Sequence, residues 1–234
     1  MDLTFASYNI HKAVGLDGRR DPERIIAVLR EVHADVIALQ EADRRFGERE
    51  SVLPKALLDE TPWRVAPVFR RPRSLGWHGN ALLVRKDIEI ELAEPVGLPT
   101  LEPRGAVRAD LVVEGRRVRV LGMHLDLSGL RRRDQIKAIL RHCDRCDTAC
   151  PTVLMGDFNQ WGRGTAPVPS SPAAGIRWRP ATASPAAGRS PRSTGSSIRP
   201  SGAAGRPAST TARSPLGPRT ISRCARLWHS MPRI

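Results

Sequence analysis

After residue 162 the sequence contains no Asp, no Glu and no Lys, although it is rich in Arg. The formal net charge of +14 is therefore unevenly distributed. Residues 1–162 hold 26 Lys and Arg against all 24 Asp and Glu, a net charge of +2, whereas residues 163–234 hold 12 Arg and no acid. The basic character belongs to the tail, and charge alone does not mark residues 1–162 as a nucleic-acid-binding domain.

The sequence also lacks a long apolar run and has only four cysteines. No apolar stretch approaches the roughly 18 residues of a membrane-spanning helix, and Met1-Asp2 leads into a strand-like pattern without the features of a signal peptide. Three of the cysteines, Cys143, Cys146 and Cys150, cluster beside His142. A zinc site needs four well-spaced ligands, so reduced thiols are the favoured interpretation. We therefore expect a cytoplasmic protein.

Residues 163–234 have the composition of a disordered segment. They contain 11 Pro, many Ser, Ala, Gly and Arg, and almost no apolar periodicity. A folded stretch of this length would carry roughly nine acidic residues at average composition, and this one carries none. We expect a folded domain over residues 1–162 and a disordered tail over residues 163–234.

Limited proteolysis tests this boundary. We expect the region after Gly162 to be cut at the earliest time points while a core fragment persists, because proteases cleave unpacked chain first. A protease-resistant fragment that runs to the C-terminus would contradict the division.

Within residues 1–162 the apolar pattern predicts strands mixed with a few helices. Asp21-Pro22 predicts a helix start, with Asp as the N-cap and Pro in the first turn. Glu114-Gly115 predicts a hairpin turn between two strands. The remaining predicted elements are helices over 51–60 and 130–142 and strands over 3–10, 35–40, 79–85, 88–92, 107–113, 118–125 and 152–155. This mixture indicates a sheet-on-sheet core with helices outside.

Four polar signatures stand where predicted strands end. They are Tyr8-Asn9, Gln40-Glu41, His124-Leu125-Asp126 and Gly156-Asp157-Phe158-Asn159. Phosphate-ester hydrolysis uses these residue types: carboxylate and amide oxygens bind a hard cation, a base deprotonates the attacking water, and donors neutralise the phosphoryl oxygens. Taken singly, each also fits a turn, a solvated carboxylate, a capping turn or a sheet-edge histidine. Asp126 either supports such a site or caps the loop before the next helix.

Together these motifs resemble the endonuclease/exonuclease/phosphatase superfamily. Asn9 after an apolar strand, Gln40-Glu41 after DVIALQ, GNALLVR at 79–85, His124 and GDFN at 156–159 occur in the order and at spacings like those of the family. Its members include exonuclease III-like DNA-repair enzymes, secreted DNases, sphingomyelinases and inositol-polyphosphate 5-phosphatases. The resemblance implies an α/β fold, the DNase I-like four-layer α/β sandwich.

The resemblance also implies a set of site residues. Glu41 would be the principal ligand of Mg²⁺, with Mn²⁺ as an alternative ion. Asp157 would orient or deprotonate the nucleophilic water, and His124 and Asn159 would hold the phosphate. The implied set comprises two metal ligands, three catalytic residues and one substrate-binding residue: Asn9 and Glu41; His124, Asp157 and Asn159; and Asn80.

The resemblance breaks in the tail. The family ends with a Leu-Asp-Arg-Ile-like strand and a Ser-Asp-His-x-Pro element whose Asp and His complete the catalytic machinery, and neither can be read here. His229 does not replace that histidine, because the tail contains no acid to pair with it. The domain at residues 1–162 is therefore truncated, and we expect the fold to be incomplete at its C-terminus.

A shift of one base restores both missing signatures. Arg192–Ile198 can be written CGC TCG ACC GGA TCG TCG ATC, which one base earlier reads Leu-Asp-Arg-Ile-Val-Asp. Pro218–Cys224 can be written CCT CGG ACC ATC TCC CGG TGC, which with the same offset reads Ser-Asp-His-Leu-Pro-Val. Only the first base of each restored codon is adjustable, so this agreement is hard to obtain by accident. We infer that the reading frame is lost shortly after Trp161.

The sequence thus predicts a metal-dependent phosphodiesterase or endonuclease-type hydrolase that is impaired by the missing Asp-His element. The substrate would be a phosphate ester, whether DNA, a phospholipid head group or a small phosphodiester, and neither a stable protein partner nor a transmembrane segment is implied. The alternative is a non-enzymatic nucleic-acid-binding protein that uses the Arg-rich tail. Charge alone supports it, since the tail offers only Trp178 and Trp228 for base stacking.

Overall fold

The structure of the protein, a computed structural model, describes residues 3–68, 71–100, 104–146 and 150–159 and the backbone of residues 221–224. The described residues form two β-sheets, three α-helices and one 3-10 turn. The helices are α1 Pro22–Val32, α2 Lys55–Asp59 and α3 Gly129–Asp144, and the 3-10 turn spans His11–Ala13. None of the helices in these ranges combines the length and the apolar character that crossing a bilayer requires.

The first sheet has the strand order β3-β4-β2-β1-β9. Its strands are β1 Phe5–Asn9, β2 Val36–Gln40, β3 Trp63–Val65, β4 Ala81–Arg85 and β9 Ile221–Cys224. β1 and β2 pair in parallel, with Asn9 opposite Gln40, and the other pairs are antiparallel. Because parallel neighbours end at the same edge, the residues after β1 and β2 leave the sheet side by side.

The second sheet has the strand order β5-β6-β7-β8. Its strands are β5 Glu89–Gly97, β6 Gly105–Val113, β7 Arg116–His124 and β8 Thr152–Asp157. The predicted hairpin between β6 and β7 is confirmed, and Glu114 and Gly115 both have positive φ, 51° and 71°, as a tight hairpin turn requires. β7 and β8 are parallel and place His124 opposite Asp157.

Three apolar clusters hold the layers together. The outer face of the first sheet packs against α1, and the outer face of the second sheet packs against α3. The cluster between the sheets includes Val36, Ala38, Leu82, Val84, Val107, Ala109, Val120 and Met155. Full burial of each large aliphatic side chain contributes about 1.5–3 kcal/mol. The predicted four-layer α/β sandwich is confirmed.

Helix α1 begins where its sequence predicts. The Asp21 carboxylate accepts a hydrogen bond from the backbone N–H of Arg24 at 3.0 Å, and Pro22 occupies the first turn. The helix ends at His33, whose left-handed backbone (φ 48°) lets its N–H bond to the carbonyl of Leu29. α1 therefore depends on local signals at both ends.

Other elements differ from the sequence prediction. The helix predicted over 51–60 is only Lys55–Asp59, because Pro54 precedes it and fixes an extended backbone. β3 was not predicted, since three residues are too short to show a period. β5 continues past its predicted end through Pro95 to Gly97. A proline is tolerated there because β5 is the edge strand of its sheet.

β9 lies inside the tail that composition predicts to be disordered. It pairs antiparallel with β1, with Ile221 opposite Tyr8 and Cys224 opposite Phe5. Without this partner β1 would be a sheet edge with unpaired backbone groups, and backbone pairing does not require an apolar pattern. These four residues form a strand in the structure, and the disorder expected for the tail as a whole stays a prediction. The rest of residues 163–234 lies outside the described residues, and the boundary near 162 stays a prediction.

Candidate active site

Side chains at the ends of β1 and β8 and directly after β2 meet at one edge of the sandwich. The amide nitrogen of Asn9 donates to Oδ2 of Asp157 at 3.1 Å and to Oε1 of Glu41 at 3.4 Å. Its Oδ1 accepts from the backbone N–H of His11 at 3.1 Å, which holds the amide in this orientation. The structure thus brings together the two predicted metal ligands and the predicted water-activating aspartate.

His124 joins this cluster from the end of β7. Its Nε2 lies 3.7 Å from Oδ2 of Asp157, since the two residues are opposite each other in the parallel register. Gly156 permits this register: its φ is 138°, and an added Cβ would lie 1.9 Å from the carbonyl oxygen of Met123. The backbone before Asp157 therefore requires glycine.

The loop after β8 holds Asp157 in place. The backbone N–H of Asn159 donates to Oδ1 of Asp157 at 2.9 Å, and the Asn159 amide donates to the carbonyl of Leu125 at 2.7 Å. Asn159 is buried and braces Asp157, and its contact with a phosphate stays a prediction. Asp126 accepts from the backbone N–H of Ser128 at 2.8 Å, which agrees with the loop-capping interpretation.

Asn80 is buried in the turn that precedes β4. Its Nδ2 donates to the carbonyls of Gly105 at 3.0 Å, Trp77 at 3.3 Å and His78 at 3.4 Å. Its Oδ1 has no hydrogen-bond partner among the described residues. These bonds tie the turn to the start of β6, and a substrate-binding role for Asn80 stays a prediction.

Burial and neighbouring charges set the ionisation of the cluster. Burial by itself raises the pKa of Glu41, but the hydrogen bond and charge of Lys12 outweigh it and hold that pKa below its usual value. Burial lowers the pKa of His124, as does the charge of Arg104, although Asp157 and Glu41 act in the opposite direction. Glu41 is therefore a carboxylate and His124 a neutral ring at pH 7, with one donor and one acceptor nitrogen.

Sequence comparison assigns this arrangement to a family. Residues 6–179 match the sequence model of the Endonuclease/Exonuclease/phosphatase family. The chain belongs to this family. The match covers every site residue named above and stops before residues 192–198 and 218–224, where the two missing signatures are expected. No similar protein was found among the curated sequences.

Solved structures share the fold of this family member. Truncated Caenorhabditis elegans TDP2 has a TM-score of 0.55 and 20% identity over 73% of this chain and 67% of its own. The endonuclease/exonuclease/phosphatase from Beutenbergia cavernae has a TM-score of 0.51 and 26% identity over 74% and 50%. The human Nocturnin catalytic domain has a TM-score of 0.52 and 19% identity over 68% and 65%. The DNase I-like fold is thus confirmed, and the chain spans from half to about two thirds of these structures.

Lys12 is a site residue of this family member that the sequence motifs did not indicate. Its Nζ lies 2.5 Å from Oε2 of Glu41, and its backbone N–H donates to the Glu41 carbonyl at 3.1 Å. Both residues have left-handed backbones, with φ of 56° and 55°. A basic residue shortly after the strand-end Asn9 is visible in the sequence, but the turn that directs it to Glu41 is not.

The cleft beside the cluster is also more basic than the motifs indicated. Four arginines line it, three from the loop after β2 and one from the segment before β6. The lining residues are Lys12, Glu41, Asp43, Arg44, Arg45, Arg49, His78, Gly79, Arg104 and His124. Because the loop after β2 and the segment before β6 are far apart in the chain, no motif or spacing in the sequence connects their arginines. The excess positive charge favours an anionic ligand.

The cluster supplies the oxygen donors that hard cations bind. Glu41 and Asp157 offer two carboxylates, both within hydrogen-bonding reach of the Asn9 amide nitrogen, while the Asn9 amide oxygen accepts from the backbone N–H of His11. In the described part of the chain no group of three or more His, Cys, Asp or Glu residues could hold a metal alone. Mg²⁺ commonly binds through one or two carboxylates and takes its other ligands from water and substrate. The donor set therefore fits Mg²⁺ or Mn²⁺.

Proposed function

We propose that the chain carries the site of a divalent-metal-dependent phosphoric-ester hydrolase and that its activity is impaired. The observation that carries the proposal is the convergence of Asn9, Glu41, His124 and Asp157 at the ends of four strands from two sheets. Family membership supports hydrolysis of a phosphate ester. A carboxylate base, oxygen ligands for a cation and a neutral donor are the groups which that reaction needs.

Each side chain has its own task in this proposal. Glu41 and Asn9 would hold Mg²⁺ or Mn²⁺, which when bound supplies positive charge beside the phosphoryl oxygens. Asp157 accepts a proton from the attacking water, while the N–H of Asn159 keeps its other oxygen in place. His124, neutral at its lowered pKa, donates an N–H to a phosphoryl oxygen, and the Asn159 side chain assists in holding the phosphate.

The register of β9 supports the proposed impairment. In the reading one base earlier, the histidine codon takes its last two bases from the codon of Ile221, so the histidine would stand at that position. Ile221 lies opposite Tyr8, and Tyr8 is the residue before Asn9 in β1. The shifted reading would therefore put a histidine, preceded by an aspartate, on the strand that pairs with β1. The chain as written has an isoleucine there, which can neither donate to a phosphate nor transfer a proton.

Metal binding by Glu41 is testable without any assay of activity. Mg²⁺ at about 100 times its dissociation constant should stabilise the folded chain by about 2.7 kcal/mol. Glu41→Gln should remove most of that increment, because a neutral amide is a much weaker ligand for a hard cation. The measurement is thermal unfolding of the full chain with and without Mg²⁺.

The matched control for this test is Glu31→Gln on the exposed side of α1. It makes the same chemical change away from the cluster and should leave the Mg²⁺ increment intact. Only the increment is compared, since Glu41→Gln also removes the partner of Lys12 and so alters the metal-free stability. An unchanged increment in Glu41→Gln would mean that the ligand assignment is wrong.

The substrate we infer is an anionic phosphate ester. Among the similar structures, Danio rerio TDP2 is complexed with a single strand DNA product and the human Nocturnin catalytic domain has a bound sulfate anion. The basic cleft beside Glu41 supports an anion here as well. The alternative nucleic-acid binder depends on tail residues outside the described ones, so it stays a prediction, as does the cytoplasmic location.

A further inference from the structure

The outer face of the second sheet changes character beyond the end of α3. Under the helix this face is apolar, and its side chains form one cluster with Ile136 and Ile139 of α3. Past the helix the same face presents charged side chains around an open cavity of about 530 Å³. The lining of this cavity includes Glu94, Arg108, Asp110, Arg119, Arg145 and Cys146.

This cavity is separate from the candidate active site. Arg119 is the fourth residue of β7 and His124 is the last. At about 3.4 Å per residue, about 17 Å of extended strand lies between them. No residue that lines the cavity also lines the basic cleft beside Glu41. The cavity therefore has no task in the function proposed above.

A buried ion network forms the floor of the cavity. Nε of Arg108 and Nε of Arg119 both donate to Oδ1 of Asp110 at 2.9 Å, and these three residues are at most 7% exposed. Nη1 of Arg108 also donates to Oε1 of Glu94 at 2.7 Å. The same oxygen lies 3.0 Å from Nε2 of His142, so the network reaches the last turn of α3. The floor is thus rigid and tied to the end of the helix.

Two free cysteines stand at this end of α3. Cys143 lies in the last turn, and Cys146 follows the C-cap residue Arg145. The backbone N–H of Cys146 bonds to the carbonyl of Cys143 at 3.1 Å, and Arg145 between them keeps a helical backbone. A turn closed in this way holds its end Cα atoms within about 7 Å, and a disulfide spans about 4.4–6.8 Å. The backbone therefore allows the two cysteines to be joined.

The two thiols differ in access. Cys146 lines the open cavity, and its Sγ donates to the carbonyl of His142 at 3.2 Å. An S–H group is a weak donor, so this bond holds the thiol only loosely. Cys143 instead packs against the apolar cluster under α3. Burial raises the pKa of Cys143 to about 11, so this thiol is protonated at pH 7. A reagent that enters the cavity therefore meets Cys146 first.

Arg145 adds an unpaired positive charge beside Cys146. It is exposed and forms no salt bridge with any of the described residues. The guanidinium groups deeper in the cavity differ, since Arg108 and Arg119 are both paired with Asp110. The charge of Arg145 remains available to attract an anionic reagent towards the Cys146 thiol.

We propose that Cys146 and Cys143 form a dithiol site for thiol–disulfide exchange with small anionic disulfides. The Cys146 thiolate attacks one sulfur of the disulfide RSSR, so that a mixed disulfide forms and RS⁻ leaves and takes up a proton. Cys143 then loses its proton to water and attacks Sγ of Cys146, which releases the second RS⁻. In sum, two protein thiols are oxidised to one disulfide and RSSR is reduced to two RSH. This site does not depend on the proposed hydrolase function.

Oxidised glutathione is the probe that tests this proposal. It is added to the reduced full chain at pH 8 in EDTA, and the products are followed by intact mass and by peptide mapping. We expect an adduct of one glutathione that converts to a product lighter than the reduced chain by two hydrogen atoms, with Cys143 joined to Cys146. A first-formed disulfide that includes Cys150 or Cys224, or a chain that stays reduced, would overturn the proposal.

Serine substitutions assign the two roles. Cys143→Ser should trap the mixed disulfide on Cys146, because no second thiol displaces the glutathione. Cys146→Ser should slow the reaction at this end of α3 by about 10-fold or more, since the buried Cys143 remains protonated. Cys150→Ser makes the same chemical change just before β8 and should leave the rate within about twofold. Identical products from Cys143→Ser and Cys150→Ser would contradict the pairing.

A second pair of reagents tests the role of charge. Arg145→Gln should slow the reaction with anionic oxidised glutathione by about threefold or more, and leave the reaction with uncharged hydroxyethyl disulfide unchanged. Arg133→Gln, on the exposed surface of α3, makes the same change in net charge and serves as the control. Equal rates of the two variants with oxidised glutathione would overturn the preference for anionic disulfides.

Discussion

Restoring the reading frame after Trp161 is expected to raise Mg²⁺-dependent phosphodiesterase activity by a factor of about 10³ or more. In the proposed function Glu41 would hold a metal and Asp157 would orient a water, but the chain as written lacks the histidine and aspartate of the missing element. Loss of one positioned donor to developing charge typically costs about 10²–10³ in rate, and loss of a general acid or base about 10²–10⁴. These losses are seldom additive, so we expect about 10³ and not the roughly 10⁴ that multiplying the two smallest losses would give.

The test compares the given chain with a chain in which the base offset is corrected after Trp161. Both are assayed with Mg²⁺ on bis-p-nitrophenyl phosphate and on plasmid DNA. A third protein, the corrected chain with its restored histidine changed to alanine, separates recovered chemistry from recovered folding and should be folded but nearly inactive. Equal activity of the first two proteins would defeat the frameshift account. It would mean that the tail supplies catalytic groups that its sequence does not reveal.

A second large effect is expected for Asp157→Asn in the frame-corrected protein. Its kcat should fall by about 10²–10⁴, because the amide keeps the shape of the carboxylate but cannot accept the proton of the attacking water. The carbonyl oxygen of the new side chain can still accept from the backbone N–H of Asn159, as Oδ1 of Asp157 does at 2.9 Å. We therefore expect the fold to survive, which thermal unfolding would check.

Asp126→Asn is the control for this experiment, since it makes the same chemical change in the neighbouring loop. Asp126 caps that loop through the N–H of Ser128, and asparagine caps about as well as aspartate. Its kcat should therefore stay within a few-fold of the corrected protein. If Asp157→Asn behaved like Asp126→Asn, Asp157 would not be the base, and another group would have to activate the water.

The elements that the sequence predicted well are those with local causes. α1 begins at the Asp21-Pro22 signal because a side-chain cap and a fixed φ act within one turn of the helix. The β6–β7 turn follows from Glu114-Gly115 for the same reason. β3 and β9 were missed because short strands form through their partners, and a partner is not visible in three or four residues.

The residues of the candidate site also fall into two groups, those that the sequence indicates and those that only the structure shows. Asn9, Glu41, His124 and Asp157 could be selected from the sequence because each is a polar residue at the end of an apolar strand. Lys12, Arg49 and Arg104 could not, because they lie on loops whose backbone conformation no periodic pattern records.

The sequence by itself indicated the layers and the polar residues at the strand ends, because apolar periodicity and strand ends are written in neighbouring residues, and the family resemblance implied which of those residues are ligands and which is the base. The inference of a lost reading frame also comes from the sequence alone, since it depends on which codons can encode the tail and not on the fold. Only the tertiary structure decided that the side-chain amide of Asn9 hydrogen-bonds to both Glu41 and Asp157, and that Arg49 hydrogen-bonds to His78. Those contacts join residues far apart in the chain, so they exist only once the sheets have packed and set the loops at their edge.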